Sequence, residues 1–343
     1  MPAAAPFRAL RYDETVAGPL PDLVAPPYDV IDAEARRGYL ARSPHNVVHL
    51  TLPDSEEAAG RALADWRAGG VLREEEPAVW FVAQDYVGPD GEARTREGLA
   101  ASIEATPYEA GEVLPHERTH ARPKEGRLRL LRATRTELEP IFLLYDGEPP
   151  VERPGEPPEL DVEESGVRTR LWRLPAETLE LPGPLLVADG HHRYETAVAF
   201  REEDPSATHT LAVLVSSHAP GVEIFPTHRT CSSLKVEPPV EPTDEWDRDG
   251  LALYRGGRWF RVPHDDELDV TAVERYAAGE VGYTPYAEEA VAAVDRGEAE
   301  AAFLVRAPSV EQVAAFAARG ETMPQKSTFF FPKLTSGLLL YPL

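Results

Sequence analysis

The sequence predicts a mixed α/β (α+β) fold, and three observations carry that reading. Apolar runs of strand length recur at Ala78–Ala83, Pro140–Tyr145, Pro184–Ala188 and Thr210–Val215. Segments of helical spacing separate them, and no internal repeat is visible. Strands and helices alternating along one chain argue for α/β or α+β rather than an all-β fold.

Taken in order, the first ~55 residues read as irregular, because Val24-Ala-Pro-Pro-Tyr-Asp-Val30 contains a Pro-Pro turn and residues before proline avoid the helical region. Glu56 to Ala68 has helical spacing, with Ala59, Leu63 and Trp66 on one face and Gly69-Gly70 as the stop. After the strand at Ala78–Ala83, Pro89-Asp90-Gly91 makes a hairpin turn into a return strand over Arg94 to Glu104. The polar stretch Leu114 to Lys124 precedes an Arg-rich helix from Gly126 to Arg135. Residues 147–166 are rich in Pro, Glu and Gly and read as an exposed connection. The strand Pro184–Ala188 runs straight into Asp189-Gly-His-His-Arg-Tyr-Glu195, and good helix formers follow from Thr196 to Glu203. The acidic, Pro-Pro-containing stretch Val236 to Asp249 leads to a hairpin (Ala252–Tyr254 and Trp259–Val262), two helices, a strand at Ala301–Val305 and a helix at Val310–Ala318. The expected organisation is three segments: 1–105, 106–235 and 236–343.

Composition narrows the function. The chain has 343 residues with 35 Lys+Arg against 59 Asp+Glu, a formal charge of −24, and 42% hydrophobic residues. That is apolar enough for a true core. A charge so negative disfavours nucleic acid, so an anionic ligand needs a local basic pocket. The one cysteine, Cys231, excludes an intramolecular disulfide and a Cys-based metal cluster. No run approaches the ~18 apolar residues of a membrane span, and Met1 to Arg11 lacks a signal-peptide core, so a soluble, cytoplasmic protein without membrane contact is expected. Only four of the basic residues are lysines (Lys124, Lys235, Lys326, Lys333), the rest arginines. Lysine is a compact point charge suited to phosphate, so these few stand out.

The sharpest motif is strand, Asp189-Gly190-His191-His192-Arg193, helix. A glycine turn opening a helix presents backbone N–H groups at the positive end of the dipole, an anion site. The histidines add donors, and Arg193 can grip phosphate bidentately. Asp189 can orient a histidine, contact a ribose hydroxyl or hold Mg²⁺; its plainer reading is a helix cap. A second cluster, His116-Glu117-Arg118-Thr119-His120, sets a carboxylate among donors and suits a general base; its plainer reading is a solvated loop. In Met323 to Lys333, Lys326-Ser327-Thr328 echoes a phosphate loop but lacks the glycines of a Walker motif, and Phe329 to Phe331 reads as a buried strand. Pro226-Thr-His228-Arg229 is a fourth polar cluster, with ligand contact or a structural role both open.

Together these segments resemble the family catalogued as domain of unknown function 1015, through Ala25-Pro-Pro-Tyr-Asp-Val30, His116-Glu117 with Thr119, Asp189-Gly-His-His-Arg-Tyr194, Pro226-Thr-His-Arg229, and Met323-Pro-Gln-Lys-Ser-Thr328 with Phe331-Pro-Lys333. Its Asp-Gly-His-His-Arg segment is similar to the phosphate-binding turn of the ParB/sulfiredoxin-like superfamily, whose members bind ATP, ADP or CTP. The resemblance implies a central nucleotide-binding domain at 106–235 with N- and C-terminal α/β extensions. Within that superfamily, Leu114-Pro-His-Glu-Arg-Thr119 followed by Asp189 to Arg193 resembles the motif pair of free-serine kinases. Carried over, Glu117 with His116 is the catalytic pair, Glu117 being the base, and Gly190, His191, His192, Arg193 and Thr119 hold phosphate. Asp189 is the nucleotide or Mg²⁺ contact; outside that carry-over, His228, Arg229, Lys326, Ser327 and Thr328 stay candidates for additional ligand contact, with a structural role open. The expected activity is a kinase using ATP, ADP or another phosphoanhydride with Mg²⁺ and a small hydroxylated acceptor, free L-serine first. The alternatives are a nucleotide-binding regulatory module with slow or no hydrolysis, and a metal-dependent enzyme built on the histidines. A longer insert between the two motifs, and added parts at either end, depart from those kinases.

Overall fold

The computed structural model describes residues 2–117 and 121–343, with the backbone alone at 121–123. It is a mixed α/β fold, as expected, and its contacts gather into two compact units. Of the described residues, the larger joins 2–115, 121–222 and 332–343; the smaller joins 116–117 and 223–331.

The larger unit is built on an eight-stranded sheet in the order Val113–Leu114, Leu185–Asp189, Ile141–Tyr145, His209–Ser216, Ala93–Glu104, Val79–Val87, Val167–Leu174, Leu160–Glu164. The hairpin expected around Pro89-Asp90-Gly91 joins Val79–Val87 to Ala93–Glu104 and puts Gln84 directly opposite Arg96. Alternation along these strands sends Val79, Phe81, Leu99, Ile103, Ile141, Leu143, Leu185 and Val187 into one continuous apolar core. The helix expected at Glu56–Ala68 forms with those bounds, capped by Ser55, whose Oγ accepts from the Ala58 amide at 3.2 Å, and buries Ala59, Leu63 and Trp66.

Several elements here differ from expectation, among them the strand Val167–Leu174, and two of them are held by charge. Ala33–Arg42 is helical inside the stretch expected to be irregular. Its Glu, Arg and Gly residues leave no apolar stripe, and Tyr39 is its buried residue; the Asp32 carboxylate, accepting from the Glu34 and Ala35 amides at 2.9 and 2.8 Å, starts it. Residues 160–164, inside the expected acidic loop, form an edge strand that turns Leu160, Val162 and Glu164 inward. Glu164 tolerates burial because the Tyr39 hydroxyl donates to it at 2.6 Å and Arg42 pairs with it at 3.1 Å.

The smaller unit holds a six-stranded sheet in the order Glu241–Thr243, Arg258–Arg261, Ala252–Arg255, Ala301–Leu304, His228–Leu234, Ala277–Thr284. Ala252, Tyr254, Ala290, Ala302 and Leu304 form its core. Three of these strands were not expected, Glu241–Thr243, His228–Leu234 and the last; two glycines in Ala-Ala-Gly-Glu-Val-Gly-Tyr-Thr hide the last, which has one buried residue and lies beside His228–Leu234. Phe329–Phe331 is a strand, as expected, paired with Glu223–Phe225. Among the described residues, no helix is long and apolar enough to cross a membrane.

Candidate functional site

In the larger unit, the strand Leu185–Asp189 pairs antiparallel with Ile141–Tyr145, and its register shifts between Val187 and Asp189. Such an irregularity re-aims the strand end. Gly190 follows in the left-handed region (φ 93°, ψ 29°) and leads directly into the helix His191–Glu203. The helix therefore starts five residues before the expected Thr196, so His191, His192 and Arg193 are its first turn rather than a loop before it.

Asp189 is not the helix cap. Its Oδ2 accepts from Arg193 Nη2 at 2.7 Å and its Oδ1 from Lys333 Nζ at 2.5 Å. Burial pushes this carboxyl up, yet Lys333, Arg193 and His191 outweigh it and hold it well below the usual carboxylate range. Arg193 is itself buried, 6% exposed, and its other Nη donates to the Pro140 carbonyl. Burial would lower the guanidinium's pKa, but Asp189, Glu139, Asp29 and Tyr28 keep it raised. His191 and His192 are half-buried.

Around this turn lie side chains that motif reading left without a role. The Tyr28 amide of the Pro-Pro turn donates to Glu139 Oε1 at 2.9 Å, and Ser336 Oγ donates to the same oxygen at 3.1 Å. Arg127 sits over the Tyr28 ring at 3.7 Å and pairs with Glu139 at 3.7 Å. Arg96 Nη2 donates to the Pro332 carbonyl at 2.7 Å, next to Lys333. Arg96, Arg127, Glu139 and Ser336 lie in none of the quoted motifs and come from distant segments; Tyr28 and Lys333, inside quoted segments, were the available signals.

In the smaller unit, His116 is 1% exposed, its Nε2 is 2.9 Å from Thr328 Oγ1, and its ring meets the edge of Phe330. Glu117 bridges to Met323, and its Oε1 accepts from the Lys326 amide at 3.4 Å. Lys326 holds a positive φ of 59°, rare for a residue with a side chain. Arg229 fixes this turn, Nη2 donating to the carbonyls of Gln325 and Lys326 at 3.2 and 3.0 Å and Nη1 to that of Thr227. Burial lowers Arg229 to about 10, so it stays charged at neutral pH. Ser327 is 1% exposed and donates to Pro324 O at 2.5 Å. His228 is also sealed, its Nδ1 accepting from the Val305 amide at 3.2 Å with Trp246 against the ring; burial lowers it to about 4, leaving it neutral. His116, Glu117, Arg229, Lys326, Ser327 and Thr328 thus gather in one unit, with His228 packed into its sheet. Thr119, Arg118 and His120 lie outside the described residues.

Asp189 does not fit the Mg²⁺ role. Each of its oxygens already accepts from a cation, so a metal would have to displace Lys333 or Arg193. Among the described residues, no group of three or more His, Cys, Asp or Glu side chains is placed to hold a metal.

Fold and turn define a mixed α/β protein with a cation-rich strand–glycine–helix junction. The chain belongs to the family described as protein of unknown function DUF1015, whose model matches residues 4–273. Comparison with curated proteins found no match. Among solved structures, the chain is similar to a conserved hypothetical protein from Pyrococcus furiosus (19% identity, covering 68% of this chain and 93% of that one, TM-score 0.39). It is also similar to a free serine kinase in complex with AMP (18% identity, 68% and 89%, TM-score 0.40). A third likeness is to C-terminally truncated SbnI from Staphylococcus aureus (11% identity, 68% and 84%, TM-score 0.43).

Proposed function

We propose that this protein is a small-molecule kinase that moves a phosphoryl group from a nucleoside polyphosphate, ATP or ADP, to an alcohol, with free L-serine the first acceptor to test. The observation that supports it most is the junction at Asp189 to Arg193: a left-handed glycine opening a 13-residue helix, with Lys333 and Arg193 on one carboxylate. First-turn amides and the helix dipole favour an anion, and nearby cations add to that field. Phosphoryl transfer needs mainly positioning and charge neutralisation, which such a junction supplies.

In this reading Glu117 takes the acceptor hydroxyl proton. The freed oxygen bonds to the terminal phosphorus, and the bond from that phosphorus to the bridging oxygen breaks, releasing ADP from ATP or AMP from ADP. His116, Thr328 and the Arg229-held turn at Lys326 keep Glu117 in place. Mg²⁺ accompanies the nucleotide phosphates and offsets their charge; Asp189 is left out of its coordination.

The test is incubation of the full chain with each donor, Mg²⁺ and a panel of amino acids and sugars, followed by phosphorus NMR. A new phosphomonoester, with O-phosphoserine the first to look for, is expected, and Glu117→Gln should lower turnover at least a hundredfold while nucleotide affinity holds. Silence from every donor–acceptor pair at high enzyme concentration would sink the proposal.

A further inference from the structure

We infer that Lys333 is the phosphate-facing cation of the proposed nucleotide site, and that Arg96 and Gln84 position it. The inference rests on the nucleotide-binding reading above and adds the residue that meets the charge. Arg193, the evident candidate from the motif, is committed inward: one Nη serves the Pro140 carbonyl, the other Asp189 at 2.7 Å, and the side chain is 6% exposed. Turning it outward would strand both acceptors. Lys333 reaches the opposite oxygen of Asp189 at 2.5 Å with 19% of its side chain exposed, and its ammonium suits a phosphate oxygen.

Lys333 lies just past the strand Phe329–Phe331, outside any strand or helix, so ladder hydrogen bonds do not hold it there. Two side chains of the large sheet do. Arg96 Nη2 donates to the Pro332 carbonyl at 2.7 Å and to Gln84 Oε1 at 2.5 Å, while Gln84 Nε2 donates to the Lys333 carbonyl at 3.4 Å. Gln84 and Arg96 face each other across neighbouring strands, so the clamp is written into the sheet register. Arg96 is 2% exposed over the Phe142 ring at 4.4 Å, and its Nε has no hydrogen-bond partner among the described residues. A neutral donor would hold a carbonyl without the cost of burying a charge. A cation there also adds positive potential beside Asp189, where Lys333 and Arg193 already outnumber the carboxylate. Glu139, the other carboxylate acting most on Arg193, also pairs with Arg127.

Calorimetric titration of the full chain with ADP plus Mg²⁺, inorganic pyrophosphate and adenosine tests this. Lys333→Gln should weaken ADP and pyrophosphate at least tenfold and leave adenosine within twofold, and Lys333→Arg should recover part of the loss. Arg96→Gln should reproduce the loss, and the double variant should bind within twofold of Lys333→Gln, because Arg96 acts through Lys333. Gln84→Met is the substitute if Arg96→Gln fails to fold, with the same loss expected. Wild-type ADP and pyrophosphate affinity in Lys333→Gln overturns the inference, as does undiminished affinity in a folded clamp variant. Wild-type protein that binds pyrophosphate but no nucleotide refutes the nucleotide reading alone, and the Lys333 variant still decides the inference. Binding of neither overturns both.

Discussion

Arg193 Nη2 and Asp189 Oδ2 meet at 2.7 Å across Gly190, the left-handed residue where the strand ends and the helix begins. A Cβ at Gly190 would lie 3.0–3.1 Å from the Arg193 guanidinium and would take a φ of 93°. Gly190→Ala should therefore cost roughly 1–2 kcal/mol of stability from backbone strain, with the ion pair loosened besides. Urea unfolding followed by circular dichroism measures the loss; an unchanged midpoint would show that the turn does not need glycine.

Glu137 gives a pH signature. Burial raises its carboxyl to about 7, with the Thr210 hydroxyl, donating at 3.1 Å, working the other way. The folded value exceeds the unfolded one, near 4.5, so the stability that protonation confers is fully present below about pH 4.5 and is lost as pH climbs through 7. Glu137→Gln mimics the protonated form. The variant should match wild type at pH 4 and exceed it above pH 8 by on the order of 3 kcal/mol. Parallel stability curves across pH 4–8 would remove Glu137 as the cause.

Lys326 separates strain from ligand contact. Its φ of 59° suits glycine, so Lys326→Gly should gain about 1 kcal/mol in thermal stability. Lys326→Gln keeps the strain and removes the charge. If the ammonium contacts nucleotide, both variants lose affinity by a similar factor; if the lysine shapes the turn alone, neither does.

Arg229 holds three carbonyls from inside the smaller unit. Arg229→Met leaves buried acceptors unpaired, at ~1–3 kcal/mol each, and should melt that unit well before the larger one. Hydrogen exchange resolved along the chain reads this directly: early exchange should appear in 223–331, and uniform exchange throughout would contradict it.

The elements legible in the sequence were those whose burial leaves a period. Ala59, Leu63 and Trp66 mark one helix, and the uninterrupted apolar strands mark the centre of the large sheet. Elements held by charge were illegible. Ala33–Arg42 starts on an aspartate cap and shows no stripe, and Glu164 occupies a core position only because Tyr39 and Arg42 satisfy it. The same limit applies to the site. Asp189 to Arg193 is contiguous and stood out as a motif, whereas the partner of Asp189 comes from Lys333, 144 residues away in sequence, placed by Arg96 and Gln84. Composition also marked a change of character at 236–249, a stretch that lies inside the smaller unit rather than at its border.

The larger unit takes back residues 332–343, where Leu340 bonds to Leu10 and Tyr341 pairs with Glu137. During synthesis the strands of its large sheet emerge first, and its closing segment follows only after the whole intervening stretch. A premature stop before Pro332 would deprive the nascent larger unit of its closing segment and of Lys333 in the same stroke, so truncated products should be targets for quality-control proteases.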